Sequence, residues 1–298
     1  MSATSATAID LSRLPAPEIV ELLDYEVIRA ALLADMLARY PDFSAAVPSD
    51  PVHKLLEVAA YRELMLRATF NDRARGCLVA FATGSDLDHL GALLGAYRLE
   101  IEPADILNGT PAVMESDADF RRRIILAPEG YSVAGPEGAY IWHALSADAD
   151  VLDASATSPT PGEVVVTVLS RNGDGTAAPA LLDIVEAAVS ADDVRPLTDH
   201  VTVQGADIVE YAINAQIETF AGPDSAIVLA EAAARLNAYL ESSRRLGRDI
   251  VRSAIFAALH VEGVSQVTLA APAVDVELNR TQAAHCTNVT LVHAGTGE

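Results

Sequence analysis

The residue types that most often carry out catalysis occur singly in this sequence. Nucleophilic catalysis needs a serine or cysteine close to a histidine and a carboxylate, yet the seven histidines are scattered along the chain. No Gly-x-Ser-x-Gly motif, which would present a serine on a sharp turn, occurs. With 42 acidic residues, carboxylate pairs such as Glu129 and Glu137 arise by chance and do not indicate a glycosidase. We therefore predict no catalytic residues and expect the chain not to be an enzyme.

Two short motifs could be read as metal sites, and neither fits the spacing that metals require. His285 and Cys286 are adjacent, whereas zinc sites normally use pairs of ligands separated by two or more residues. Residues 171–175, RNGDG, lack the alternating ligands and the distal glutamate of a calcium loop, and Asn-Gly and Asp-Gly favour a turn instead. No phosphate-binding loop or dinucleotide fingerprint occurs, so we predict no metal and no cofactor.

Two groups of arginines supply scarce positive charge in a chain whose formal net charge is −22. One interpretation pairs them with helix ends and with internal carboxylates. The other has them dock onto acidic surfaces of neighbouring subunits, because the planar guanidinium binds a carboxylate through two parallel hydrogen bonds. Under the second interpretation the candidate interface residues are Arg121, Arg122, Arg244, Arg245 and Arg248.

The acidic balance also argues against several classes of partner. A chain with this much negative charge would be repelled by the phosphate groups of nucleic acids and anionic membranes. We therefore do not expect it to bind either one. No apolar run of about 18 residues occurs, so we expect no membrane insertion. Two distant cysteines, and an N-terminus without the basic and apolar regions of a signal peptide, predict a protein made in a cytoplasm.

The elements that must position these residues begin with helices. The spacing of apolar residues predicts helices over 17–40 and 51–81, and Pro41 ends the first. The apolar residues of the second helix do not keep to one side, which indicates burial between neighbours or by a partner subunit. Its candidate interface residues are Leu56, Leu64, Phe70 and Leu78.

Shorter capped helices are predicted next. Ser85 with Asp88, and Ser116 with Asp119, have the spacing of a capping box, in which each side chain satisfies a free backbone N–H of the first turn. The second of these helices should end before Pro128.

A helix carrying the only tryptophan follows a Gly-Pro turn. Pro136 suits the first helical position, where its missing N–H would be unpaired anyway, and the helix should end near Ala147. Aromatic residues on a short helix are more typical of core or interface anchors than of cofactor sites. Trp142 is therefore a candidate interface residue, and we expect His143 beside it to be structural.

From about residue 150 the apolar period changes from 3.6 to 2. Strands are predicted at 162–170, 200–206, 210–219, 263–270, 274–278 and 288–293, and helices at 179–193, 224–246 and 249–260. The helix at 224–246 should turn an inner face of Leu229, Ala233, Leu236 and Leu240 to the core. Residues 139–169 and 253–292 share the order helix, strand, proline-containing loop and strand, which suggests an internal duplication.

These elements predict an α+β protein. A helical N-terminal region at 1–110 would precede two small α+β domains with mixed sheets, at 111–206 and 207–298. Hinges are hypothesised near 107–111 and near 205–207, because domain movements use a few loop residues.

An ordered set of motifs resembles the baseplate J-like family of contractile-tailed phages and related injection machines. The central part of the likeness is residues 116–169, SDADFRRRIILAPEGYSVAGPEGAYIWHALSADADVLDASATSPTPGEVVVTVL. Residues 50–95 resemble the family's helical N-terminal part, and 194–217 and 247–272 resemble its later segments. The likeness extends from about Asp50 to Pro272, and it depends on the order of the motifs, since no single one is diagnostic.

The resemblance implies a structural protein with no catalytic residues to carry over. Members are baseplate wedge components that dimerise and close into a ring around the central hub and spike, and rearrange when the tail contracts. The implied partners are a second copy of the chain, a small lysozyme-like wedge protein, a second wedge protein, and the hub and spike proteins. The implied location is the tail baseplate of the virion, assembled in the cytoplasm of a bacterial host.

Two other functions stay open on the residues alone. One is a tail-associated cell-wall hydrolase that acts during injection. The other is a receptor-binding module, which would predict exposed aromatic platforms; an aromatic content of 5% with one tryptophan argues against it.

Overall fold

The computed structural model describes residues 21, 23–43, 49–222 and 224–297. These residues divide into two compact units, one ending at Tyr97 and one beginning at Arg98. The predicted α+β class is confirmed, because the first unit is helical and the second combines helices with small mixed sheets. Most of the first eight residues of the helix predicted over 17–40 lie outside the described residues.

The N-terminal unit is built on two antiparallel helices, α1 (Tyr25–Arg39) and α2 (Pro51–Gly76), followed by α3 (Gly84–Ala92). The Asp24 carboxylate accepts two N–H groups from the first turn of α1, and Asp50 accepts one from the first turn of α2. Asn71, near the end of α2, is buried and exchanges two hydrogen bonds of 2.8 Å with the backbone of Glu21. This pairing fixes the start of α1 beside the end of α2.

Two helix boundaries in this unit differ from the prediction. α2 ends at Gly76 rather than near residue 81, because turn hydrogen bonds such as Leu78 N–H to the Arg75 carbonyl follow the glycine. α3 begins at Gly84, so Ser85 lies inside its first turn and the predicted Ser85–Asp88 capping box is wrong. Thr83 holds the extended N-cap position instead.

The second unit opens with a hairpin that the sequence analysis missed. β1 (Glu100–Glu102) pairs antiparallel with β2 (Val113–Met114). Asp105 and Thr110 form a further bridge towards the turn. The hinge hypothesised near 107–111 therefore lies at the turn of a paired hairpin, and it stays a hypothesis.

Two helices lead from this hairpin to the first sheet. α4 (Asp117–Leu126) begins as predicted, with the Asp119 N–H donating to the Ser116 hydroxyl at 3.1 Å. A 3-10 turn over Ala127–Tyr131 separates it from α5 (Glu137–Ala147), which ends at the predicted residue. Pro136 is the N-cap residue of α5, one position before the predicted one.

The first sheet has three strands in the order β3-β4-β5. β3 (Val151–Thr157) and β4 (Glu163–Ser170) are antiparallel, whereas β5 (His200–Gly205) runs parallel to β4 after the crossover helix α6 (Pro179–Val189). α5 and α6 cover the sheet and bury a core that includes Ala144, Val166, Val168 and Val185. The strand predicted at 162–170 is confirmed within one residue.

The second sheet starts one residue after the first ends, since only Ala206 separates β5 from β6 (Asp207–Phe220). α7 (Ser225–Ser243) and α8 (Arg252–Leu259) follow, and then β7 (Val264–Ala271) and β8 (Gln282–Gly297). The strand order is β7-β6-β8, with β7 antiparallel and β8 parallel to β6. As the alternation predicts, Ile213, Ala215 and Ile217 of β6 are fully buried and their neighbours face outward.

One prediction for the second sheet is wrong and another is confirmed in part. Residues 274–278 form no strand but a single bridge between Val276 and Ile250. The Leu278 N–H donates to the Asp249 carboxylate at 2.7 Å, and the Arg252 N–H donates to the Asp275 carboxylate at 2.7 Å. Because side chains accept these N–H groups, the backbone pairing does not continue beyond the bridge. On α7 the predicted Leu236 is fully buried, and Leu229 and Leu240 pack against the same core, but Val228 and Ala232 are buried more deeply than these two.

The two stretches compared as an internal duplication share their element order but not their pairing. α5, β3 and β4 correspond in order to α8, β7 and β8. β3 and β4 are direct neighbours, whereas β6 lies between β7 and β8. A repeat of the element order therefore does not extend to the arrangement of the strands.

Candidate interaction surfaces

α2 carries an exposed apolar surface on the side away from its buried residues. Ala60 and Asn71 are buried, and by helical spacing the predicted residues Leu56 and Leu64 share their stripe and are partly buried. On the opposite side Leu66 is 71% exposed and Phe70 is 54% exposed. We call this surface the outer α2 face; its apolar members are Leu55, Val58, Tyr61, Met65, Leu66 and Phe70.

The charges in the middle of the outer α2 face are basic. Arg62 and Arg73 fall in the middle of the same arc at helical spacing, and both are exposed. Glu57 and Glu63 lie outside this arc, and the exposed Asp72 lies just inside one edge of it. The face is therefore apolar with basic residues inside it, which suits an amphipathic partner helix with acidic flanks. Leu78, the remaining predicted interface residue of this region, is 37% exposed after the end of α2.

The predicted arginines Arg122 and Arg245 lie together in one ion-pair cluster. Arg122 donates to Asp153 at 2.5 Å, and Arg245 donates to Asp119 at 2.5 Å and to the Leu152 carbonyl at 2.7 Å. We call this cluster the clamp; it consists of Asp119, Arg122, Asp153, Arg171 and Arg245. It joins α4 and β3, on the first sheet's side, to the segment that connects α7 and α8 on the second sheet's side.

Asp153 is the centre of the clamp and is only 3% exposed. Besides Arg122, its carboxylate accepts the Ala154 N–H at 2.8 Å and the Leu246 N–H at 2.9 Å. A buried carboxylate is costly unless its oxygens are satisfied, and here three donors satisfy them. Because Leu246 belongs to the second sheet's side, Asp153 holds both sides at once.

Asp119 is bound by two arginines of the clamp. Arg171 donates to its Oδ2 at 3.1 Å, while Arg245 binds its Oδ1. Burial alone would raise the pKa of this carboxyl, but the positive charges of Arg245 and Arg171 outweigh burial and hold the pKa below its usual value. Asp119 is therefore ionised at neutral pH.

Other contacts reinforce the clamp. Arg244 donates to the Gly173 carbonyl at 2.8 Å, and the Ser155 hydroxyl donates to the Arg280 carbonyl at 2.6 Å. A hinge near 205–207 would have to break these bonds as well as the clamp, and it stays a hypothesis. Of the remaining predicted arginines, Arg248 donates to the Ser242 carbonyl at 2.9 Å and Arg121 is partly buried on α4.

A second buried ion pair was missed by the sequence analysis. Arg123 binds Glu115 through two hydrogen bonds of 2.9 and 2.6 Å, and both residues are about 5% exposed or less. The guanidinium groups of Arg98 and Arg123 lie over the Phe120 ring, at 4.8 and 5.5 Å from its centre. The arrangement fixes α4 to the segment before it, so its role is structural.

Trp142 packs inside the second unit, at the margin of the first sheet's core. The Gly130 backbone approaches so closely that a Cβ there would lie 2.4 Å from Trp142 Cε3. His143 Nε2 donates to the Gly130 carbonyl at 3.2 Å, and burial lowers the pKa of His143 despite this bond. The tryptophan and histidine therefore hold the 3-10 turn against α5, and whether Trp142 also meets a partner stays a prediction.

The described residues offer little for small-molecule chemistry. An open cleft of about 670 Å³ beside the clamp is lined by Arg122, Asp153, Arg245, Leu246, Arg248 and Asp249, among others. Two of its arginines and one carboxylate are already bound to each other or to Asp119. Across the described ranges no group of three His, Cys, Asp or Glu side chains could hold a metal ion, and no helix is long and apolar enough to cross a membrane.

The comparisons with known proteins cover almost the whole chain. The Baseplate J-like N-terminal domain matches residues 48–105, the Baseplate J-like central domain 132–205, and the Baseplate J-like protein C-terminal domain 211–292. Baseplate protein J of Escherichia phage P2 is 50% identical over 299 residues, which covers 97% of this chain and 99% of that protein.

A solved structure is similar at a lower level. A chain of the cryo-EM structure of the anti-feeding prophage (AFP) baseplate, 6-fold symmetrised, is 13% identical with a TM-score of 0.39. The match covers 59% of this chain and 42% of that one. On the three family matches and the phage P2 relative, the chain belongs to the Baseplate J-like family and is a structural protein of the phage tail baseplate.

Proposed function

We propose that this chain is a baseplate wedge protein that dimerises, closes into a ring around the central hub and spike, and takes part in the rearrangement of the baseplate on contraction. Its three parts, 1–110, 111–206 and 207–298, would divide this work. The helical part would bind other wedge proteins, and the two sheet domains would form the body of the ring.

The observation that carries this proposal is the outer α2 face. Monomeric proteins rarely expose a contiguous apolar patch of this kind without a partner. Six large apolar side chains on one long helix, with Arg62 and Arg73 among them, supply the anchors that a helical bundle with another protein needs. The proposed occupants are the helical segment of a second wedge protein and the small lysozyme-like wedge protein.

The clamp supports the second half of the proposal. A protein that takes part in a rearrangement of its assembly can move its domains as rigid bodies, with the change in backbone conformation confined to a few hinge residues. Asp119 and Asp153 join the two sheets through arginine and backbone donors. The sheets would then move together in the ring, and relative motion would be concentrated elsewhere in the chain.

The proposal is tested by co-expressing the chain with the tail genes that neighbour its own gene and imaging the particles. Leu66→Glu places a charge in the middle of the outer α2 face and is expected to abolish co-purification with the other tail proteins. Leu197→Glu is the matched control, because Leu197 is 99% exposed in the second unit. Normal particles from the Leu66→Glu variant would contradict the docking role of this face.

The purified chain tests the alternative function, a cell-wall hydrolase. Zymography of the purified chain on peptidoglycan is expected to give no lytic band. A band that one carboxylate substitution removes would replace the structural proposal by an enzymatic one.

A further inference from the structure

The second sheet has a long free edge at β8. β8 spans Gln282–Gly297 and pairs with β6 on one side only. At its start the other side is covered, since Leu246 bridges Ala283 and the Gly247 N–H donates to the Gln282 carbonyl. From 285 to 297, no described strand or loop backbone pairs with that side. A row of unpaired N–H and C=O groups of this length is a template for another strand.

Arginine side chains partly block two other strand edges of the second unit. At β7 the Arg252 guanidinium donates to the carbonyls of Leu269, Pro272 and Ala273. At β3 the Arg245 guanidinium donates a hydrogen bond to the Leu152 carbonyl. Arginine side chains thus occupy carbonyls that a further strand would need, a protection that β8 lacks from residue 285 onward.

The composition of β8 does not prevent another strand from pairing with its free edge. In a chain with 42 acidic and 20 basic residues, β8 contains no Asp, Glu, Lys or Arg. Charged side chains and prolines are the usual means of preventing edge-to-edge pairing, and β8 has neither. Its middle is instead made of Val289, Thr290, Leu291 and Val292, residues that favour cross-strand pairing.

We propose that the free edge of β8 pairs antiparallel with β8 of a second copy of this chain. Antiparallel self-pairing about a two-fold axis places residues near the axis opposite their own symmetry mates or near neighbours. A charged residue on the axis would face its own copy, so a neutral centre favours self-pairing. Two copies with a net charge of −22 each repel one another over most of their surfaces, and β8 offers a neutral place of contact.

The geometry of this pairing follows from the free segment. The middle of 285–297 is Leu291, so the axis passes near it, with Thr290 opposite Val292 of the second copy. Thr290 and Val292 lie on the open face of the sheet, in register with Asn214 and Gln216 of β6. The two three-stranded sheets would become one sheet of six strands. This contact specifies the self-association in the proposed function and rests on it.

A cysteine cross-link tests the contact directly. In the full chain with Cys77→Ser and Cys286→Ser, Thr290→Cys places two exposed thiols diagonally across the axis, roughly 7–8 Å apart between backbones. A short bis-maleimide is expected to link two copies, both in solution and in assembled particles. Gln216→Cys is the control, because Gln216 is exposed on the same face but on the central strand.

A charge test separates this contact from the proposed function. Thr290→Lys is expected to lower the yield of complete baseplates by about tenfold, because like charges then face each other across the axis. Gln216→Lys adds the same charge away from the edge and is expected to leave the yield within about twofold. Circular dichroism on each purified variant establishes that its sheet is intact.

The outcomes are distinguishable. If the unsubstituted chain enters particles, but Thr290→Cys gives no more cross-link than Gln216→Cys, the β8 contact is refuted and the proposed function stands. The same holds if a folded Thr290→Lys variant assembles as well as Gln216→Lys. If the unsubstituted chain never enters particles, the proposed function itself fails.

Discussion

Arg245 lies 126 positions after Asp119 in the chain, and its guanidinium donates to the Asp119 carboxylate at 2.5 Å. The same guanidinium donates to the Leu152 carbonyl at the edge of β3. One side chain from the second sheet's side therefore binds a helix and a strand on the first sheet's side.

Arg245→Met should lower the free energy of unfolding by about 2 kcal/mol, because Asp119 and the Leu152 carbonyl lose a donor in a mostly buried place. Arg235→Met is the control: Arg235 and Glu231 form an exposed pair on α7, and its loss should cost less than about 0.5 kcal/mol. Urea denaturation of both variants measures the difference. Equal costs would show that the clamp contributes no more than a surface ion pair.

Asp119→Asn should make the free energy of unfolding less dependent on pH in the acidic range. The pKa of Asp119 is lowered in the folded protein, so its stabilisation is present above the unfolded value of about 3.9 and is lost as the pH falls through the folded value. The variant should be less stable than the unsubstituted chain at neutral pH, and the difference should shrink in acid. Urea denaturation at a series of pH values measures this, and a difference independent of pH would contradict it.

Gly130→Ala should destabilise the second unit by about 2 kcal/mol, because the new methyl group would overlap the Trp142 ring. Trp142→Leu in the same chain removes the overlap, so the alanine should cost much less there than in the unsubstituted background. Gly205→Ala serves as a control, since a Cβ there would make only ordinary contacts of 3.8 Å or more. Thermal denaturation of the set gives the coupling between the two positions.

His143 should make the protein less stable in mild acid. Burial lowers the pKa of His143, although the Gly130 carbonyl and the negative charge of Asp193 act in the opposite direction. The unfolded chain therefore binds this proton more readily. The free energy of unfolding should fall as the pH drops below about 6.5, with a slope of at most about 1.4 kcal/mol per pH unit.

The variant His143→Gln should remove this contribution from the slope. Urea denaturation of both proteins between about pH 5 and pH 8 measures it, above the range in which Asp119 titrates. An unchanged slope would mean that other groups cause the acid sensitivity.

Elements that depend on nearby residues were predictable from the sequence. The Ser116 cap needs only Asp119 three positions later, and the alternation of Ile213, Ala215 and Ile217 is a property of one strand. The Ser85 cap failed because the helix begins two residues earlier than the spacing indicates, with the extended Thr83 before Gly84.

Relationships between distant residues were not predictable in this way. The pairing of β6 with β8, rather than of β7 with β8, joins strands separated by two helices and a strand. Asp153 did give a signal that was overlooked: a carboxylate in the otherwise uncharged strand β3 requires buried donors. The sequence could have indicated that Asp153 needs partners, but not that Arg122 and Leu246 supply them.

The single residue between β5 and β6 has a mechanical consequence. Tension carried by the backbone of the second sheet passes through Ala206 directly into the end of β5, with no slack loop to absorb it. Where that pull runs along β5, its six residue pairs with β4 are loaded in shear and must yield together rather than one after another. The junction is therefore stiff when the two sheets are pulled apart along β5.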